Sequence, residues 1–318
     1  MEQKPRRIAV IIPARNEGVN LRNLYGEVHR VIQDLGTYTW ELIFIDDGSY
    51  DGTWEIIEEM SRVTPTKVKG VCLSRHFGKE IAQTVGIDMA QDPDAAIFMD
   101  ADLQHPPGVI PELVRQWESG FQIVTTQRRT GQDSWGRRLG SNLFYFIFNR
   151  FSDLNIQPGA CDFRLLDRKI LEVLQTFKER NRFFRGIVDW VGFKKTSIAF
   201  DSPARAKGNS AFTLKALFDL AIDAFTSFSL APLRLAGYLG LTVTIITFLL
   251  LTYMVTSHIF FEITLFTPLA YFMVFNTLLF GIVLISLGLI AWYIGRIHTE
   301  VIDRPLYIIQ KRVGFVDE

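Results

Sequence analysis

Asp100 and Asp102 are the residues whose types and spacing say most about chemistry. They join the apolar run Ala95–Asp100 (AAIFMD) to the segment DADLQ. Residues i and i+2 of an extended segment point the same way, so both carboxylates can face one cation. Mg2+ and Mn2+ favour such hard oxygen ligands and often complete their shell with substrate phosphates. Gln104 can add a further oxygen. A solvated acidic loop is the plain alternative, and both the strand before the motif and Gln104 after it weigh against that. Asp46 and Asp47 stand in a similar place, at the end of Glu41–Asp46 (ELIFID). They can accept hydrogen bonds from the NH and OH groups of a base and ribose, with Gly48 allowing the tight turn. A structural turn explains DDGS equally well. Two further segments carry polar groups: Pro13-Ala-Arg-Asn-Glu17 and Cys161-Asp-Phe-Arg-Leu165.

These groups need elements to hold them. Strand-like runs lie at Ile8–Ile12, Glu41–Asp46, Lys67–Leu73, Ala95–Asp100 and Phe121–Thr126. Helical stretches fall between them near Val19–Leu35, Thr53–Arg62, Glu80–Ala90 and Val109–Glu118. Apolar strands alternating with amphipathic helices predict an α/β domain, a mostly parallel sheet covered on both faces. Ligands of such sheets bind at the carboxyl ends of the strands. Pro13–Glu17, Asp46–Ser49 and Asp100–Gln104 each follow a strand, and so share one rim. No Walker lysine motif is present, and no G-x-G-x-x-G follows the first strand, which removes the main support for NTPase and dehydrogenase readings.

Composition narrows the partners. The chain has 318 residues with 34 Lys+Arg against 34 Asp+Glu, so no general basic field points to nucleic acid. With 48% hydrophobic residues and 26 Phe it is not a disordered chain. Its two cysteines, Cys72 and Cys161, make no disulfide framework, and the five histidines have no zinc-site spacing. The basic N-terminus leads into an apolar run too short for a signal-peptide core, which predicts a domain that is not exported.

The apolar residues concentrate near the other end. Leu235–Phe261 and Ile263–Gly295 contain no Asp, Glu, Lys or Arg. Each exceeds the ~20 residues that cross a bilayer core as a helix, so two transmembrane helices are predicted. Arg234 precedes the first, and Arg296, Arg304, Lys311 and Arg312 follow the second, which places both chain ends in the cytoplasm. Ahead of them, Phe212–Ser229 puts Leu214, Leu217, Phe218, Ala221 and Phe225 on one stripe, a helix that could pack on the soluble domain or lie in a membrane interface, its position just before the spans favouring the interface. The organisation expected is a catalytic domain over 1–205, an interfacial segment over 206–230, two spans over 231–296 and a cytoplasmic tail over 297–318. Two sparse helices are compatible with a homo-oligomer in the bilayer.

PARNE, DDGS-x-D-G-T (Asp46–Thr53), SRHFGKE (Ser74–Glu80), DADLQ and DFRLLDRK (Asp162–Lys169) run in order along the chain. Together they resemble glycosyltransferase family 2, in its polyisoprenyl-phosphate branch of dolichol-phosphate mannose synthases and bactoprenol glucosyltransferases. The resemblance covers roughly Ile8 to Ser229, and two C-terminal spans suit the bactoprenol subgroup. It implies a GT-A (Rossmann-like) domain, a nucleotide-sugar donor, a polyprenyl phosphate acceptor, a Mg2+ or Mn2+ cofactor and a place in the inner (cytoplasmic) membrane. Carried over residue by residue, Asp46 and Asp47 match the nucleotide-binding pair, with Pro13, Asn16 and Glu17 beside them. Asp100, Asp102 and Gln104 match the metal and diphosphate site. Arg128, Arg137, Ser141 and Arg205 fall where relatives hold the acceptor phosphate, and guanidinium forks suit phosphate oxygens. Three positions depart from the pattern: His76 stands where Asn is common, His105 where Asp is common, and Ala211 where a Lys or a large residue usually follows Ser.

The reaction this implies is attack of a lipid phosphate oxygen on the anomeric carbon of the donor, with inversion and release of a nucleoside diphosphate. UDP-glucose is the first choice of donor, and GDP-mannose and other UDP-sugars stay open. Asp162, with Asp153 as a second candidate, is expected to orient the acceptor or take a residual proton, although Asp162 serves equally as a cap on its strand. A processive polysaccharide synthase would carry Q-x-x-R-W, which is absent from the sequence. A lipid-phosphate flippase would want ionisable residues within the spans, and a nucleotide binder without catalysis would not need the DADLQ carboxylates.

Overall fold

The computed structural model describes residues 5–64, 68–128, 160–177, 179, 182–201, 268–302 and 304–315, with isolated helical positions at 242, 245 and 249. Two compact units are distinguished. One holds Met1–Asn149, Leu154–Leu217 and Arg304–Glu318, the other Arg150–Asp153 and Phe218–Asp303.

The first unit is built on one sheet. Its strands are β1 (Arg7–Ala14), β2 (Thr39–Asp46), β3 (Val68–Leu73), β4 (Ala95–Phe98), β5 (Ile123–Arg128), β6 (Ala160–Asp167), β7 (Lys195–Phe200) and β8 (Ile309–Val313). They lie in the order β7-β5-β6-β4-β1-β2-β3-β8. β1 pairs in parallel with β2 and β4, β2 with β3, and β5 with β7; the pairings of β6 with β4 and β5 and of β8 with β3 are antiparallel. The expected mostly parallel α/β domain is therefore present. β1 carries Ile8, Val10, Ile11 and Ile12 at zero exposure, the unbroken apolar run of a strand covered on both faces.

Helices α1 (Gly18–Gln33), α2 (Thr53–Val63), α3 (Lys79–Met89) and α4 (Ile110–Glu118) follow β1 to β4. α1 buries Leu21, Leu24, Val28 and Ile32, one stripe at helical spacing, so hydrophobic burial rather than capping fixes its orientation. Two shorter helices, α5 (Arg168–Thr176) and α6 (Phe184–Trp190), complete the α-helices of this unit among the described residues. The chain steps outward from β1 to β2 and β3, then crosses back to place β4 on the other side of β1. Strand order thus reverses between β1 and β4, where such sheets bind ligands beyond their carboxyl ends.

In the second unit α7 (Pro268–Val301) is a helix of 34 residues, about 50 Å at 1.5 Å per residue. Arg296 and Glu300 are its only Asp, Glu, Lys or Arg residues. Among the described residues no helix is long and apolar enough to cross a membrane. α7 continues five residues past Arg296, and Ile309–Val313 pairs with β3 at the sheet edge. The interfacial segment and Ala211 lie outside the described residues, as does the first predicted span apart from Thr242, Ile245 and Leu249.

Candidate active site

Parallel pairing of β1, β2 and β4 brings the segments after them to one rim. β6 runs the other way beside β4, with Phe98 opposite Arg164. The same register carried two residues on sets Asp100 opposite Asp162, so a residue 62 positions downstream arrives at the DADLQ segment by strand pairing alone.

The carboxylates meet around Lys79. This lysine opens α3 directly after Gly78, whose φ of +106° lies in a region that favours glycine. Its Nζ lies 2.6 Å from Asp100 Oδ1 and 2.7 Å from Asp162 Oδ2. Asp162 is itself buried and takes Arg185 on both oxygens, Nε at 2.7 Å and Nη2 at 3.1 Å. Arg164 Nη2 stands 3.3 Å from its Oδ1. Burial would push the Asp162 carboxyl up, but Arg185 and Lys79 outweigh it and hold it well below the usual carboxylate range. Burial likewise opposes ionisation of Asp100, and Lys79 and His105 reverse that effect, keeping its carboxyl lowered. Lys79 is raised, the pull of Asp100 and Asp162 overcoming burial. Asp162 is thus a fixed negative charge and a weak proton acceptor. Glu80, next along, accepts the Phe184 N–H on Oε2 at 3.1 Å. Burial, helped by Asp162, pushes its carboxyl up to about 7.

The DADLQ loop is held from behind. The Asp100 N–H donates to His105 Nδ1 at 2.9 Å, and the buried imidazole stacks on Phe163 with ring centroids 5.1 Å apart. Burial lowers the His105 pKa, so the ring is neutral near pH 7 with Nδ1 accepting. His105 therefore anchors the strand end. Leu103 has φ +62° and Asn16 +55°, strained conformations for non-glycine residues, set within the DADLQ and PARNE motifs. The Gln104 N–H donates to Asp102 Oδ1 at 3.1 Å, and Arg128, at the end of β5, reaches Gln104 Oε1 at 3.3 Å. Arg128 Nε is buried without a hydrogen-bond partner, a donor that an anion oxygen would satisfy.

The other end of the rim is built differently. Asp47 Oδ1 accepts the Phe77 N–H at 2.7 Å; its Oδ2 accepts the Gly78 N–H at 3.0 Å and lies 2.7 Å from His76 Nδ1. Asp46 accepts the Ser49 N–H at 3.0 Å and the Cys72 thiol at 3.5 Å. Burial, with the Asp46 charge, pushes that thiol up to about 12 and leaves it inert. Gly48 has φ +67°, and a Cβ there would come within 2.5 Å of the Arg75 carbonyl carbon, so only glycine brings the two loops together. The PARNE turn is tied to the same loop. Asn16 N–H donates to Ser49 Oγ, Asn16 Oδ1 accepts the Tyr50 N–H, and the Glu17 N–H donates to Thr53 Oγ1. Pro13 sits opposite Ile45 in β1. A cavity of about 270 Å3 opens beside Asp46, lined among others by Ser49, Tyr50, Trp54 and Cys72, with Gln310 and Lys311 supplied by β8.

Of the residues singled out from sequence, Asp100, Asp102, Gln104, Arg128 and Asp162 gather at one end of the rim. Pro13, Asn16, Glu17, Asp46 and Asp47 form the other. Arg137, Ser141, Asp153 and Arg205 lie outside the described residues. Lys79, Glu80, Arg164, Arg185 and His105 were not picked out as site residues. The first three stand in the SRHFGKE and DFRLLDRK motifs, which was the available signal; nothing in the sequence marked Arg185.

The donor set suits a divalent ion of the Mg2+ or Mn2+ kind. Asp100, Asp102 and Gln104 offer hard oxygens, while among the described residues no group of three or more His, Cys, Asp and Glu encloses a metal. Such an ion would complete its shell with oxygens from elsewhere, as Mg2+ commonly does with substrate phosphates.

The family model for glycosyl transferase family 2 matches residues 9–175. The chain is 37% identical over 309 residues to a prophage-derived bactoprenol glucosyl transferase of Shigella flexneri, covering 96% of this chain and 98% of the relative. It is 37% identical over 308 residues to an uncharacterized glycosyltransferase of Bacillus subtilis (strain 168), covering 96% and 94%. Among solved structures, it is similar to a mannosyltransferase from Pyrobaculum calidifontis in complex with GDP-Man and Mn2+, with a TM-score of 0.45 and 14% identity, over 90% of this chain and 88% of that one. A glucosyl-3-phosphoglycerate synthase from Mycobacterium tuberculosis has a TM-score of 0.44 at 18% identity, over 70% and 78%. With the family model spanning the strands that carry PARNE, DDGS, DADLQ and DFRLLDRK, and relatives aligned over nearly the full length, this chain is an enzyme that belongs to glycosyl transferase family 2.

Proposed function

We propose that the enzyme transfers a hexose, glucose as first choice, from a nucleotide sugar to a polyprenyl phosphate at the cytoplasmic face of the inner membrane. UDP-glucose is the donor proposed and undecaprenyl phosphate the acceptor. The observation that carries the reading is the meeting of Asp100, Asp162 and Lys79 at the reversal point of the sheet, with Arg128 beside Gln104. Similarity to the bactoprenol glucosyl transferase of Shigella flexneri supports the same substrate classes.

Asp100 and Asp102, with Gln104, would hold the Mg2+ or Mn2+ ion, which supplies positive charge at a departing diphosphate. The chain's own groups do the rest. Arg128, with its unpaired Nε, binds a phosphate oxygen. Asp162, locked by Arg185, Arg164 and Lys79, orients these cations and takes no proton, because its carboxyl is held too low. Little is lost by this, since a phosphate monoester with a second pKa of about 6 is already anionic near neutral pH and attacks without a strong base. Single-step attack opposite the leaving group inverts the anomeric centre.

The membrane placement is part of the proposal. α7 serves as the second of two spans over 231–296, the segment 206–230 lies in the interface, and the domain over 1–205 faces the cytoplasm. The test offers undecaprenyl phosphate with a panel of radiolabelled nucleotide sugars, with and without Mg2+ or Mn2+, to wild-type enzyme and to Asp100→Ala. Metal-dependent labelling of the lipid by the wild type alone is expected. Full turnover by Asp100→Ala refutes the ion-binding assignment, and nucleotide binding without transfer to any lipid phosphate refutes the reaction.

A further inference from the structure

We propose that Lys79 is a tethered counter-ion that occupies Asp100 until a nucleoside diphosphate arrives, and so makes capture of the divalent cation depend on the nucleotide. The proposal rests on the assignment of Asp100 and Asp102 to that cation and adds a device that controls it.

The argument is one of charge and space. Lys79 Nζ lies 2.6 Å from Asp100 Oδ1, a full ion-pair contact with a carboxylate assigned to the metal. The ion would sit about 2.1 Å from a carboxylate oxygen, since Mg2+ demands that distance. An ammonium and a divalent ion on one carboxylate are a few ångströms apart, and at that distance their repulsion is large even with strong screening. Lys79 must therefore leave Asp100 when the cation binds. It has a place to go, because Asp162 Oδ2 already holds it at 2.7 Å. Its root cannot drift far, since Lys79 is the first residue of α3, and α3 packs on β1 and β2.

The surrounding charges point the same way. Asp100 and Asp162 together face three cations, Lys79, Arg164 and Arg185. A divalent cation arriving alone adds further positive charge to a cluster already answered by cations. One arriving with a diphosphate brings negative charge with it, and the displaced ammonium is then answered by Asp162 and the nucleotide together. The lysine thereby discourages metal from binding without donor.

The test reads free Mn2+ by electron paramagnetic resonance in titrations of the full chain in detergent, with and without UDP, and needs no transfer reaction. Wild type is expected to bind Mn2+ weakly alone and on the order of tenfold more tightly with UDP. Lys79→Met should bind Mn2+ alone on the order of tenfold more tightly than wild type, with a much smaller gain from UDP. Lys79→Arg, which keeps the charge, should behave as wild type. A purely structural lysine predicts the opposite, since its loss would disorder the carboxylates and weaken Mn2+ binding. Equal or weaker Mn2+ binding by folded Lys79→Met overturns the proposal. Should that variant not fold, Lys79→Gln, which can still donate to a carboxylate, is read by the same criterion. Failure of the wild type to bind Mn2+ even with UDP sinks the ion-binding assignment as well, which separates the two failures.

Discussion

The two ends of the catalytic rim hold their aspartates by different means. Asp47 is gripped by two backbone N–H groups and His76 of one loop, and Asp46 by Ser49 and Cys72. Asp100 and Asp162 are instead held by flexible cationic side chains, Lys79, Arg164 and Arg185. Backbone donors are fixed by the fold, and their loss is felt as stability. Cationic side chains can move to another partner when a ligand brings charge, so their aspartates are available for chemistry. The DDGS end is fixed by backbone donors; the DADLQ end is the one we propose acts on the ligand.

That contrast can be broken or sharpened by substitution. The largest effect is expected at Asp100→Ala, which should lower lipid-linked transfer by roughly 10^3 or more. Its stability should change by about 1 kcal/mol or less, because Lys79 retains Asp162. Asp47→Ala should reverse the pattern. It strands two backbone N–H groups beside a buried position and should cost roughly 3 kcal/mol in denaturant unfolding. Asp47→Ala as stable as wild type would erase the distinction between the two ends.

A smaller effect concerns Glu80. Its carboxyl is raised from about 4.5 to about 7, chiefly by burial, so between those values the folded protein keeps a proton that the unfolded chain has released. Its contribution to stability therefore falls as pH rises through that window. Glu80→Gln, neutral throughout and still able to accept the Phe184 N–H, should melt close to wild type at pH 5 and above it at pH 8. A melting difference that does not change with pH would contradict the raised carboxyl.

Much of the fold was legible because burial leaves a periodic mark. β1 to β5 and α1 to α4 fall within a few residues of the runs read from sequence, and Asp100 and Asp162 meet at Lys79. β8 escaped notice because an exposed edge strand such as Ile309–Val313 carries no apolar run and pairs with β3 more than two hundred residues earlier. The charge cluster was hidden for a similar reason. Lys79 and Asp162 are 83 positions apart, and only the antiparallel placement of β6 beside β4 joins them. For Asp47 the sequence offers a nucleotide ligand and a structural turn equally, and the fold adds that both its oxygens face the loop after β3.

The most direct test of the central claim is the anomalous scattering of Mn2+ in crystals of the enzyme grown with UDP. The account predicts a peak in contact with both Asp100 and Asp102. A peak elsewhere, with those two carboxylates bare and the nucleotide in place, would contradict it.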